Sequence, residues 1–177
     1  MTVWFTADPH LGHKNIIEYC NRPFCSANDM DSTIIENWNR VVRPLDTVYL
    51  LGDVTFGGPK IVRAYFSQLN GWIRVVPGGH DHNWNRKKEV YYSASGSVVD
   101  ILPDLCTIKV APKTEIVLCH FPLESWDGAY YDVVHLHGHS HGKSRLVKNR
   151  IDVGVDEWNF TPVSLEQIHA LLVQRTE

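Results

Sequence analysis

Short apolar runs along this 177-residue chain lead again and again into an aspartate or a histidine, and that placement constrains the fold more than any other feature. Residues 2–7 run into Asp8-Pro9-His10, residues 47–51 close on Gly52-Asp53, and residues 72–76 pass through Pro77-Gly78-Gly79 to His80-Asp81. Further on, residues 115–119 precede His120, and residues 133–137 precede Gly138-His139-Ser140-His141. Short β-branched and aromatic runs bounded by Gly, Pro and Asp read as strands, and continuous apolar ones as strands buried on both faces. In α/β sheets ligands bind beyond the carboxyl ends of the strands. Five strand ends are therefore expected to deliver imidazoles and carboxylates to one crevice. The ten histidines are dispersed in clusters rather than contiguous and terminal, so they are no purification tag.

The intervening segments supply helices. From Asp29 to Val42, the apolar positions Met30, Ile34, Trp38, Val41 and Val42 recur at helical spacing until Pro44 stops the pattern. Gly58 as N-cap and Pro59 at the first helical position begin another helix, with Ile61, Val62, Tyr65, Phe66 and Leu69 on its apolar face. Strand–helix–strand–helix–strand implies a parallel sheet. The second half reads as short strands over residues 98–101, 105–110, 115–119, 133–137, 143–147 and 150–153, with a hairpin connection at residues 111–114. A last helix begins at Ser164, with Gln167 in capping-box position and Leu165, Ile168, Leu171 and Leu172 facing inward. The expectation is a single α/β domain over residues 1–177, with two packed mixed β-sheets flanked by helices.

Composition narrows the classes. A formal charge of −3 and a pI near 6.3 argue against a broad electrostatic grip on nucleic acid. No apolar run approaches the ~20 residues of a membrane span, and the N-terminus lacks the basic start and apolar stretch of a secretory leader, so a cytoplasmic protein is expected. Cys20, Cys25, Cys106 and Cys119 form no CxxC pair and are expected to be reduced thiols.

Carboxylate and imidazole without thiolate suit manganese, iron, zinc or nickel, whereas magnesium and calcium prefer more oxygen. Singly, each residue has a plainer reading: Asp8 as a turn former before Pro9, His120 as a satisfied core histidine. His135 and His137, alternating along a strand, are read as structural.

Asp8-x-His10, Gly52-Asp53, Gly79-His80-Asp81, His120 and Gly138-His139-Ser140-His141 resemble, in order and over nearly the whole chain, the motifs of the calcineurin-like metallophosphoesterase family. Residues 12–17 and 20–24 resemble its small bacterial and phage branch. The resemblance implies a four-layer α/β/β/α sandwich around a binuclear centre. Asp8, His10, Asp53 and His141 would hold the first divalent metal ion; Asp53 would bridge to a second ion held also by His120 and His139, manganese being the first choice for both. Two ions ~3.5–4 Å apart would activate a shared hydroxide for in-line attack on a phosphate ester. His80 would stand at the leaving-group oxygen, with Asp81 fixing its orientation.

Two positions depart from related patterns. The family carries Asn before the His-Asp pair, as an oxygen ligand to the second metal; Gly79 stands there instead. The second site is expected to be the weaker, with water or a neighbour such as His82 filling in. Purple acid phosphatases place a ligating Tyr three residues after the Asp of Gly-Asp; here it is Phe56, which cannot coordinate.

So short a chain leaves little room for a capping domain, and an open site favours a phosphodiester, such as a nucleotide or other small diester. Arg22, close after the first motif, is the candidate phosphate contact; Arg86, Lys87, Lys88, Lys143 and Arg145 could add positive charge near the mouth. The alternatives are a DNA or RNA nuclease, which needs a continuous basic or aromatic groove, and a catalytically weakened domain serving as a protein-binding scaffold, as in the retromer relative of the family.

Overall fold

The computed structural model describes residues 1–112 and 114–174. The first sheet is built from β1 (Val3–Thr6), β2 (Thr47–Leu50), β3 (Trp72–Val75) and β4 (Asp100–Ile101), all parallel, with β9 (Val163–Ser164) antiparallel to β1; its order is β4-β3-β2-β1-β9. The second sheet has the order β5-β6-β7-β8: β5 (Leu105–Ala111) and β6 (Thr114–Cys119) are antiparallel, while β7 (Val134–His137) and β8 (Arg150–Asp152) continue parallel to β6. The helices are α1 (Asn15–Tyr19), α2 (Ala27–Val41), α3 (Pro59–Phe66), the short α4 (His82–Asn85) and α5 (Leu165–Gln174). Two mixed sheets flanked by helices are thus present, as the pattern implies.

The period of two along each strand decides which layer a residue enters. Tyr49 and Leu51 join Phe5, Ala7 and Val76 in a core shared with Ile116, Leu118, Leu136, Ile151 and Val153 of the second sheet. Val48, Leu50, Ile73 and Val75 point the other way and pack against Trp38, Val62 and Phe66 of α2 and α3. Fully burying one such side chain stabilises the fold by roughly 1.5–3 kcal/mol, so both layers cement the first sheet.

Helix ends follow their local chemistry. Ser26 caps α2 by accepting from the Asp29 N–H, so the helix begins at Ala27, two residues before the expected start. Gly58 and Pro59 open α3 as expected. At α5 the capping box is reciprocal: the Gln167 N–H donates to Ser164 Oγ (3.2 Å) and the Ser164 N–H to Gln167 Oε1 (2.9 Å).

Two strand expectations fail. Residues 143–147 form no strand: β8 ends the sheet, and the segment's carbonyls bond locally instead, Arg145 O accepting from the Arg150 guanidinium (2.8 Å) and Val147 O from the Arg150 N–H (3.2 Å). Residues 98–101 contribute only Asp100–Ile101 to the sheet, Val98 bridging to Tyr92 instead. The two-residue β9 was not foreseen; a strand so short carries no period. Lys113, within the expected hairpin, lies outside the described residues. No helix among the described residues is long and apolar enough to cross a membrane.

Candidate metal centre

The loops after β1, β2, β3, β6 and β7 converge where the strand-end rule places them. The Asp8 N–H donates to Gly52 O (3.1 Å) and the His10 N–H to Asp53 O (3.0 Å), which zips the first two loops together. The His139 N–H donates to Asp8 Oδ2 (2.8 Å), tying the second sheet to the first. Five of the six expected ligands hold left-handed backbone, at φ 56° (Asp8), 50° (His10), 54° (Asp53), 66° (His139) and 47° (His141). Non-glycine residues adopt this region reluctantly, and such outliers gather at functional sites. Glycines let the loops close: a Cβ on Gly78 would stand 2.3 Å from Asp53 Oδ1, and one on Gly138 2.4 Å from Asp8 Oδ2.

The side chains form two groups, Asp8 with His10 and His141, and Asp53 with His120 and His139, the potential ligand atoms of each lying within 4.8 Å of one another. Asp53 Oδ2 joins them, at 3.6 Å from His10 Nε2 and 3.5 Å from His120 Nε2. Asp8 Oδ1, both ring nitrogens of His10, and His120 Nε2 are buried without a hydrogen-bond partner. Each orphan of this kind costs about 1–3 kcal/mol, and a cation would satisfy several at once. His120 Nδ1 lies 2.7 Å from Leu51 O, a carbonyl that can only accept. Nδ1 therefore carries the proton, and the Nε2 lone pair is free for a metal. These residues can hold divalent metal ions.

Burial raises the Asp8 carboxyl to about 7, against the pull of His120 and His141. Burial lowers His10 to about 3, a neutral imidazole ready to coordinate. At Asp53 burial works upward, but His120 and the His80 N–H outweigh it and hold the carboxyl far down. Burial lowers His120, yet Asp53 and Asp8 overcome it and raise the ring to about 9. Without metal, the site partly neutralises itself with protons.

Several expected roles change. Arg22 does not face the mouth. Its side chain is fully buried: Nε and Nη2 grip Asp156 Oδ1 and Oδ2 (2.8 Å each), and the guanidinium also donates to Asp8 O and Pro9 O. With those donors taken, it braces the first loop and offers no phosphate contact. Asp81 does not orient His80. Its carboxylate accepts from the Asp53, Val54 and Gly78 N–H groups and from Trp84 Nε1, at 2.8–3.1 Å, because the α4 turn points it inward beneath the β2 loop. The His80 ring is 46% exposed, 3.8 Å from Asp53 Oδ2 through Nε2, and rests on Phe56 at a centroid distance of 4.2 Å. His82 Nδ1 lies 3.2 Å from Gly79 O, and His82 belongs to neither ligand group among the described residues.

Asp156 and Asp152 are additions. Asp156 Oδ2 accepts from His141 Nδ1 (2.7 Å), which leaves His141 Nε2 for the metal. Asp152 fastens the 138–142 turn by accepting from Ser140 Oγ and the Gly142 N–H. Both lie on or just past β8, so the strand-end rule applied to one more strand would have flagged them. A third grouping, Cys20 with His141 and Asp156, has the buried Arg22 cation against its carboxylate, a poor setting for a metal ion.

His135 and His137 are structural, as read. The Leu123 N–H donates to His135 Nε2 (3.1 Å), so His135 Nδ1 carries the proton and donates to Val117 O (3.1 Å); His137 Nδ1 donates to Gly138 O. Arg145 and Lys148 pair with Glu124 and Asp132, away from the centre, and Lys143 reaches Tyr19 O.

No family model matches the sequence. The uncharacterized protein MJ1445 of Methanocaldococcus jannaschii is 31% identical over 179 residues, covering 96% of this chain and 90% of its own. The gene 66 protein of Mycobacterium phage L5 is 30% identical over 194 residues, covering 96% and 93%. The crystal structure of the protein of unknown function AQ665 from Aquifex aeolicus has the same fold, with a TM-score of 0.73 at 22% identity, over 96% of this chain and 98% of that one. With relatives this similar along nearly their full lengths, the chain belongs to the protein family of MJ1445 and the phage L5 gene 66 protein.

Proposed function

We propose that this protein is a metal-dependent phosphoesterase of the calcineurin-like kind, acting on phosphodiesters such as nucleotides or other small diesters. The observation that carries the reading is the meeting of the two ligand groups at Asp53 Oδ2, with buried unpartnered atoms on Asp8, His10 and His120 and an accessible His80 beside them. Asp8, His10, Asp53 and His141 would hold one divalent ion, and Asp53, His120 and His139 the other, with manganese ahead of iron, zinc or nickel. When bound, such a pair supplies Lewis acidity, lowering the pKa of water and polarising a phosphoryl oxygen.

The chain's own groups then divide the work. Asp53 would bridge, its Oδ1 anchored by the His80 N–H (2.9 Å) while Oδ2 faces the imidazoles. Asp156 holds His141, and Leu51 O holds His120, each in the tautomer that coordinates through Nε2. His80 Nε2 combines access to solvent with proximity to the centre and lies outside both ligand groups, which suits it to stabilise or protonate a departing alkoxide.

The manganese-loaded protein should hydrolyse bis(4-nitrophenyl) phosphate. His80→Ala should lower kcat by roughly 10²–10⁴-fold without changing metal content by elemental analysis. Failure to turn over with manganese, iron, zinc and nickel alike would overturn the reading.

A further inference from the structure

A cavity of 540 Å³ opens beside the second ligand group, within the size range of small-molecule sites. Its inner wall is the backbone of Gly78 and Gly79 together with Cys119 and Phe121, which flank His120. The Phe121 ring stands 4.9 Å from the His120 ring and 4.8 Å from the His139 ring, centroid to centroid. Ile101, Leu102 and Leu105 supply aliphatic lining, and His82, Asn85, Arg86 and Asp104 the polar lining. Gly79 keeps the passage open. A Cβ there would meet only Phe121 Cζ, at 3.9 Å, and no left-handed backbone requires glycine, so the missing side chain leaves space between cavity and centre.

Resting on the phosphoesterase reading, we propose that this cavity is a substrate subsite that takes the planar aromatic arm of the ester, as a nucleoside provides, stacked on Phe121 with its polar edge toward Arg86 and His82. The half-exposed Phe121 ring offers a face to such a group, and Arg86 has no ion pair among the described residues. Stacking on one aromatic side chain is worth about tenfold or more in affinity.

Binding of thymidine 5′-monophosphate and of methyl phosphate to the manganese-loaded protein, measured by calorimetry, tests the subsite without turnover. The nucleotide should bind at least about tenfold more tightly. Phe121→Ala and, independently, Leu105→Trp, which fills the aliphatic side, should bring the ratio of the two affinities toward one. Equal binding of both ligands by the unsubstituted protein, or a ratio that survives both substitutions, overturns the subsite. Parallel assays on bis(4-nitrophenyl) phosphate keep the two readings apart: selective nucleotide binding without hydrolysis retains the subsite and sinks the esterase, and hydrolysis without selectivity does the reverse.

Discussion

Arg22 and Asp156 form a buried two-point ion pair, Nε to Oδ1 and Nη2 to Oδ2 at 2.8 Å each, and Asp156 passes that order on to His141 through a 2.7 Å hydrogen bond. The pair joins the turn after α1 to the segment after β8, residues 134 apart in sequence, directly behind the first ligand group. Removing one partner would strand the other charge in a dry site. Arg22→Met should therefore cost about 3–5 kcal/mol of stability in urea denaturation. Asp156→Ala should weaken first-metal affinity about 10–100-fold, read by competition with a chromogenic chelator. Metal affinity unmoved by Asp156→Ala would show that His141 needs no such partner.

Asp81 is a bracket and not an orienter. Three backbone N–H groups and one indole N–H converge on its carboxylate, and one of them belongs to Asp53 itself. Asp81→Asn keeps the shape but puts an NH₂ where an acceptor is needed, so at least one donor is left facing a donor. A loss of about 1–3 kcal/mol is expected, with weakened metal binding because Asp53 shifts. The loss of kcat on His80→Ala should be as large in the Asp81→Asn background as in the unsubstituted protein, since the Asp81 oxygens are occupied elsewhere. A markedly smaller His80→Ala effect in that background, with stability intact, would restore the orienting role.

The strand-end pattern made the ligand set legible because it needs only two things the sequence displays, an apolar run and the residue after it. Asp8, Asp53, His120 and His139 all fall into place on that rule. It could not say which way a side chain turns after the loop bends. Arg22, twelve residues past His10, and Asp81, next to His80, show this: each points into the packed base, where backbone C=O groups capture the one and backbone N–H groups the other. Asp156 escaped notice although residues 150–153 read as a strand, because it lies four residues past the end of β8, in the turn at Val155–Glu157, and not directly at the strand end. Residues 143–147 misled for another reason. They alternate like a strand, but their carbonyls are taken by Arg150 and not by a sheet ladder.

On the phosphoesterase reading, Gly79 would set the balance between the two metal positions. Its Cα has room for a side chain, with Phe121 Cζ at 3.9 Å the sole neighbour within reach of a new Cβ. Gly79→Asn should fold without penalty and add an oxygen ligand on the His120 and His139 side. Manganese titration should then show the weaker of two binding steps tightening, with higher turnover at limiting metal. Identical isotherms for both forms would mean that the second position does not depend on this ligand.

Metal uptake should expel protons. Asp8, raised to about 7, must be anionic to coordinate, and His120, raised to about 9, must be neutral. Both shifts run in the direction that protons and metal compete. Between pH 9 and 7 the loss of the His120 proton sets the cost, so affinity should fall by about tenfold per pH unit as pH drops. Below 7 the Asp8 proton adds to it, and the slope should steepen. His10, held near 3 by burial, contributes nothing over this span. Calorimetric titration with manganese at pH 6, 7 and 8, in buffers of differing ionisation enthalpy, counts the released protons directly. An affinity that stays level from pH 6 to 8, with no proton release, would mean that Asp8 and His120 do not ligate together.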